Sequence, residues 1–174
     1  VTIDGGTSIG GSSGQDLNSV KLTVADASRH DGTAESGALL KPTSGSGHGN
    51  GIIRMAVDNV TIEWLDISMD SLDSTNTNAC IKLVTGTGNF TLRNMLIHDK
   101  GGNPGTSGGV GVSSSLGLTT SENWYFLNNI FYSIVETNND TVSGISIRSF
   151  KGNLYIYNNT IYKLVSNGAT KDAV

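Results

Sequence analysis

The chain has 174 residues, enough for one domain with a sizeable core. Charged residues make up 15%, well below the usual share, Gly numbers 23, and the formal net charge is −4. That balance leaves no basic footprint for nucleic acid and no attraction to anionic membranes; no apolar run approaches membrane-spanning length, and the single cysteine, Cys80, excludes an internal disulfide.

In chain order, residues 1–6 read as a short strand running into a Gly turn, and residues 7–18, rich in Gly and Ser, as a loop. Residues 20–24 (VKLTV) alternate cleanly and predict a strand. Residues 25–36 are polar and read as an excursion from the body of the fold. Residues 38–40 predict another strand, stopped by Pro42, and residues 43–50 a flexible loop. Residues 1–50 thus form one irregular coil, and residues 51–174 form regular ones, within a single domain.

The regular part is a repeat. Residues 59–68 (NVTIEWLDIS), 89–98 (NFTLRNMLIH), 123–132 (NWYFLNNIFY) and 153–162 (NLYIYNNTIY) align without gaps, with starts 30, 34 and 30 residues apart. A period of this size predicts a solenoid, in which one repeat needs stacked neighbours to bury its apolar face. With each leading Asn as position zero, position one reads Val60, Phe90, Trp124, Leu154, and position three reads Ile62, Leu92, Phe126, Ile156. This is the period-two pattern of a half-buried strand. Position eight (Ile67, Ile97, Phe131, Ile161) predicts a second strand. Between them, position five (Trp64, Asn94, Asn128, Asn158) must bend, which suits Asn because it tolerates left-handed backbone. Ladders of stacked amides are expected at Asn59, Asn89, Asn123 and Asn153, and at Asn94, Asn128 and Asn158. A third strand precedes each leading Asn: residues 81–83 align with 145–147, residues 52–57 serve the first copy, and residues 110–112 fit if the loop before Asn123 is lengthened.

Three short strands per repeat make the expected fold an all-β, right-handed parallel β-helix of about five coils. Its ends look uncapped, because residues 167–174 resemble the start of a further first strand; part of a longer protein or assembly is expected. The tyrosines Tyr125, Tyr132, Tyr155, Tyr157 and Tyr162 all fall at outward positions two, four or nine, whereas Phe90, Phe126 and Phe131 fall at inward ones. Glu63 and Arg93, at position four, are expected to point outward as a surface ion pair worth about 0–1 kcal/mol.

The repeat resembles that of the pectin lyase-like superfamily of right-handed parallel β-helices, from residue 51 to the end. The resemblance implies the fold and, as one option, a polysaccharide lyase or glycoside hydrolase using Ca²⁺ or clustered carboxylates. The acids at hand are Asp66, Asp70, Asp73 and Asp99. Asp70 and Asp99 fall on adjacent coils near one edge, with His98 and Lys100 beside them, and are the candidate catalytic set. Turn aspartates are common for backbone reasons alone, and that reading is favoured. Gly47-His48-Gly49 and Arg148 echo hydrolase elements but stand 100 residues apart (148 − 48), and the acid-bearing elements are missing. Neither a metal site nor a cofactor is expected from the residues themselves; Ca²⁺ is the one the resemblance allows.

The binding feature is the tyrosine set: Tyr125, Tyr155 and Tyr157 on one outer face, Tyr132 and Tyr162 on the next. Exposed aromatic rows can stack on sugars or a partner, or simply stiffen a sheet as a cross-strand ladder. The leading expectation is a non-catalytic extracellular or cell-surface module of bacterial or viral origin, structural or adhesive, meeting glycans through its tyrosines. The alternatives are the polysaccharide enzyme and an axially self-assembling fibre or phage-type subunit that stacks with further coils or identical copies. Nucleic acid and membrane insertion are not expected.

Overall fold

The computed structural model describes residues 7–9, 19–41, 52–55, 58–68, 79–83, 88–99, 110–114, 122–136, 142–147, 150–166 and 171–172. Among them the regular structure is all-β apart from one 3-10 turn, Asp26–Ser28. In chain order the strands are β1 (Thr7–Ile9), β2 (Val20–Leu22), β3 (Leu39–Leu40), β4 (Ile53–Met55), β5 (Val60–Glu63), β6 (Asp66–Ser68), β7 (Ala79–Leu83), β8 (Phe90–Arg93), β9 (Leu96–His98), β10 (Val110–Ser114), β11 (Asn123–Leu127), β12 (Ile130–Glu136), β13 (Val142–Ile147), β14 (Asn153–Tyr157), β15 (Thr160–Ser166) and β16 (Lys171–Asp172).

Every third strand belongs to the same sheet. Sheet A runs β1-β4-β7-β10-β13-β16, sheet B β2-β5-β8-β11-β14 and sheet C β3-β6-β9-β12-β15, with parallel pairing throughout. The arrangement is consistent with a parallel β-solenoid. Equal repeat positions pair: Val60↔Phe90, Phe90↔Trp124 and Trp124↔Leu154 in sheet B, and Ile67↔Ile97 and Ile97↔Phe131 in sheet C. These columns form the core, with Ile62, Leu92, Phe126, Ile67, Ile97 and Phe131 fully buried. Burying each such side chain stabilises the fold by about 1.5–3 kcal/mol before ordering costs.

The bends are local and left-handed. At position five φ is 65° for Trp64, 53° for Asn94, 56° for Asn128 and 53° for Asn158. A second left-handed residue, which the repeat did not announce, stands at position ten: Asp99 (51°), Ser133 (51°) and Lys163 (54°). Asn and Asp enter this region at low cost because their side chains bond nearby backbone, whereas Trp64 does not share that ease.

Three sequence readings change. In sheet A, Val112 rather than Val110 pairs with Ile81 and Ile145, so the repeat there is shifted by two residues. Thr7–Ile9, within the stretch read as loop, pairs with Ile53–Met55. The polar excursion folds back as a strap on the bend between sheets B and C, where His30 and Arg29 pack on Trp64. Residues 1–6 and 43–50 lie outside the described residues.

The pairs flanking Gly111 place it level with Cys80 and with Gly144. A Cβ at Gly111 would stand 2.6 Å from the Gly144 carbonyl oxygen and 2.8 Å from the Phe131 ring; one at Gly144 would stand 2.9 Å from the Ile161 side-chain tip. Small residues in sheet A thus make room for large ones in sheet C. Gly111→Ala should destabilise by about 1–3 kcal/mol, because backbone cannot yield as a side chain can. Gly144→Ala, opposed by a movable Ile161, should cost less, and urea unfolding of the two variants checks the order.

Candidate functional site

The tyrosines stand in two ladders. In sheet B, Tyr125 (β11) and Tyr155 (β14) stack with ring centroids 4.8 Å apart and 8° between planes, and Tyr157 lies 6.4 Å from Tyr155, tilted by 30°. In sheet C, Tyr132 (β12) and Tyr162 (β15) stack at 5.2 Å and 7°. Parallel strands place equal positions at one strand spacing, so neighbouring rings meet face to face. The ladders therefore spend ring faces on each other and turn edges outward. Among the described residues Tyr157, 58% exposed, is the most open of the large apolar side chains.

Two asparagine rows run from coil to coil. At position zero, Asn59 Oδ1 accepts the Asn89 N–H (3.2 Å), Asn89 Oδ1 accepts the Asn123 N–H (3.1 Å), and Asn153 Nδ2 donates to Asn123 Oδ1 (3.1 Å). At position five, Asn94, Asn128 and Asn158 supply the left-handed bend, and their backbone does the bridging: Asn94 N–H donates to Leu127 O and Asn128 N–H to Tyr157 O, both at 3.0 Å. The buried amide row lies one residue later. Asn129 Oδ1 accepts the Met95 N–H (3.0 Å), its Nδ2 donates to Leu92 O (3.0 Å) and Asn159 Oδ1 (2.8 Å), and Asn159 Nδ2 donates to Phe126 O (2.7 Å). The signal was legible: Leu65 and Met95 at the same position mark it as interior, where an amide must find partners.

Glu63 corrects the surface-pair expectation. It is buried, and its carboxylate receives Lys21 Nζ (2.7 Å) and Thr23 Oγ1 (2.7 Å) on Oε1 and Arg93 Nε and Nη2 (2.6 Å each) on Oε2. Burial alone would raise its pKa, but the hydrogen bonds from Lys21, Thr23 and Arg93 and the Arg93 charge prevail and hold it at about 2. The cations spread over the carboxylate and keep their own ends half in water, so a position that alternation points outward becomes covered.

The second charged cluster centres on His98, a candidate catalytic residue. Position nine points outward by alternation, yet His98 is 1% exposed. Its Nε2 lies 2.7 Å from Asp66 Oδ1 and its Nδ1 2.7 Å from Asp99 Oδ2. Asp66, fully buried, also accepts the Glu35 N–H of the strap on Oδ2 at 2.6 Å. The His98 ring stacks on Tyr132 at 5.0 Å and 8°. Burial works to lower the His98 pKa, but the two carboxylates outweigh it and raise it above the ordinary imidazole value. Tyr132 is pushed up to about 12 by burial and by the nearby Asp99, Tyr162, Asp66 and Glu35. Leu96 and Ile130 at position seven mark that column as apolar, so Asp66 there already demanded a partner.

Of the candidate catalytic set, His98 and Asp99 thus come together with Asp66. Asp70 and Lys100 lie outside the described residues, as do Asp73, His48 and Arg148. Among the described residues no group of His, Cys, Asp and Glu side chains is arranged to hold a metal ion. Among them, too, no helix is long and apolar enough to cross a membrane. Chemically, the Asp66–His98–Asp99 cluster can hold a proton but offers little of it to a substrate, since only the Asp99 carboxylate reaches solvent.

Asn129→Ala strands the Met95 N–H and the Leu92 carbonyl and should cost about 2–4 kcal/mol, against less than about 1 kcal/mol for Asn128→Gly, where Gly accepts the left-handed bend. Denaturant unfolding separates the two. Glu63 should add stability that is full above pH 4.5 and is lost as pH falls through about 2, a loss absent in Glu63→Gln when unfolding is followed against pH. No protein family, curated protein or solved structure matches this chain.

Proposed function

We propose that the chain is a non-catalytic module of a right-handed parallel β-helix of the pectin lyase-like type, of about five coils, with a structural or adhesive role outside the cell or at its surface. The observation that carries this reading is the tyrosine face of sheet B. Tyr125 and Tyr155 form a rigid stack with their edges outward, and beside them Tyr157 offers exposed ring surface. Phenol edges and hydroxyls on a stiff sheet can bond sugar hydroxyls, and an exposed ring can pack on a sugar face, at small ordering cost. Buried and paired, Glu63 with Lys21 and Arg93 and Asp66 with His98, these groups support a stabilising rather than a catalytic use of charge.

A glycan-array screen tests this, with the wild type beside Tyr157→Ala and the triple variant Tyr125→Ala/Tyr155→Ala/Tyr157→Ala, with and without Ca²⁺. Binding that weakens at least tenfold in Tyr157→Ala and vanishes in the triple variant is the expected result. Binding unchanged in the triple variant, or none under either condition, removes the tyrosine face as a glycan platform. Cleavage of a polysaccharide lost in Asp99→Ala would instead restore the enzyme reading.

A second reading, axial stacking with a further coil or an identical copy, is favoured by Leu154. It is 39% exposed, whereas Val60, Phe90 and Trp124 in the same column are each 3% exposed. Under this reading, sedimentation at rising concentration shows higher species, and replacing Leu154 by Lys suppresses them.

A further inference from the structure

The hydrogen-bond geometry around His98 decides its charge. Both ring nitrogens lie 2.7 Å from carboxylate oxygens, Nε2 on Asp66 and Nδ1 on Asp99. Carboxylates only accept, so both contacts are satisfied only when both nitrogens carry hydrogen, as in the imidazolium. A neutral ring would turn one lone pair onto a carboxylate. The Asp66 carboxylate is fully buried and cannot exchange His98 for water, whereas the Asp99 side chain is 42% exposed and can. The neutral ring therefore keeps its hydrogen on Nε2, toward Asp66, and releases Asp99.

The same Asp66 also ties down the strap. Its second oxygen accepts the Glu35 N–H at 2.6 Å. Elsewhere the strap rests on Trp64 through Arg29, 4.8 Å above the indole, and through His30, whose Nε2 lies 2.8 Å from the Asn94 carbonyl. With His98 neutral, Asp66 becomes a buried carboxylate with two neutral donors and no counter-charge. Such a group is costly unless water reaches it. The strap residue Glu35, which donates to Asp66, is the element whose lifting admits that water.

We infer that the Asp66–His98–Asp99 chain is a proton-operated latch that holds the strap of residues 25–37 on the solenoid and loosens it when the imidazole gives up its proton. The charged and titratable groups around it are Asp66 from β6, Asp99 beyond β9, Tyr132 from β12, Tyr162 from β15, and Glu35 from the strap, itself 3.7 Å from Lys41. The sign of the effect is set by the acids. They hold the His98 proton above the ordinary 6.5 even though burial opposes it. The latch contributes in full below pH 6.5 and is lost as pH rises through the raised value.

The test uses the whole chain. Long-range nitrogen–proton spectra of His98 should show both ring nitrogens protonated below pH 6.5, with a titration midpoint above that ordinary value. Trp64 fluorescence, isolated in a Trp124→Phe background, should change with the same midpoint as the strap leaves the indole. Asp99→Asn removes one of the two carboxylates and should move both midpoints down by at least about one pH unit. His98→Gln should give a Trp64 signal that is flat over this range. A His98 midpoint at or below 6.5 would overturn the latch. So would a Trp64 signal that ignores the His98 titration or follows Tyr132 near 12 instead, or an Asp99→Asn midpoint that stays in place. If His98→Gln does not fold, the Asp99→Asn shift decides alone.

Discussion

Parallel in-register stacking is the constraint on which the rest of this structure depends. When strands pair with equal repeat positions, every side chain meets its own counterpart from the turns on either side. A column must then be compatible with itself. Apolar columns satisfy this at once, which is why positions one, three and eight carry the core. Rings satisfy it by stacking, as Tyr125 does on Tyr155, and amides by accepting from one turn and donating to the next, as Asn129 accepts the Met95 N–H and donates to Asn159. Like charges would repel along a column, so a charge is admitted only where its neighbours differ.

The two ionic clusters are answers to that rule. Glu63 is followed in its column by Arg93 and flanked by Lys21 from the strand on its other side, so one carboxylate serves two cations and a hydroxyl. Asp66 is followed in its own column by Leu96, which cannot pair with it, and finds its partner diagonally in His98. Both carboxylates sit under hydrogen bonds from a different turn, so each fastens coils together rather than standing on a surface. The tyrosine ladders stiffen the later turns in the same way. Among the described residues the two buried carboxylates are spent on holding turns together, while Tyr157 and Tyr162 stay exposed beside their stacked neighbours, which is the basis for the proposed contact surface.

Much of this was legible in the residues. The columns at positions one, three and eight, the bend at position five and the sorting of Tyr from Phe follow from period and alternation. Rules about single strands gave no access to the relation between coils. Alternation pointed Glu63 and His98 outward, and only the partners brought over them by neighbouring turns and by the strap bury them. Asn129 and Asn159 stand one residue after the bend, at a place that apolar Leu65 and Met95 mark as interior. Before Asn123, Val110-Gly111-Val112 and Val112-Ser113-Ser114 both begin on Val, and only the pairing of Val112 with Ile81 and Ile145 chooses between them.

The strap has a consequence for how the molecule comes apart. A solenoid joined only through adjacent turns behaves as a one-dimensional chain and frays from its ends. This strap leaves the chain between β2 and β3, in the first turn described, and touches Trp64 and Asp66 in the next turn and the Asn94 carbonyl in the one after. At Gly32 it also comes close to Ile130, a further turn on, where an added Cβ would stand 3.9 Å from the Ile130 side chain. It therefore reaches past nearest neighbours, like a staple across several stacked rings. The early turns cannot peel away singly without first releasing it, so they behave as one cooperative block, whereas the turns beyond its reach remain coupled pair by pair.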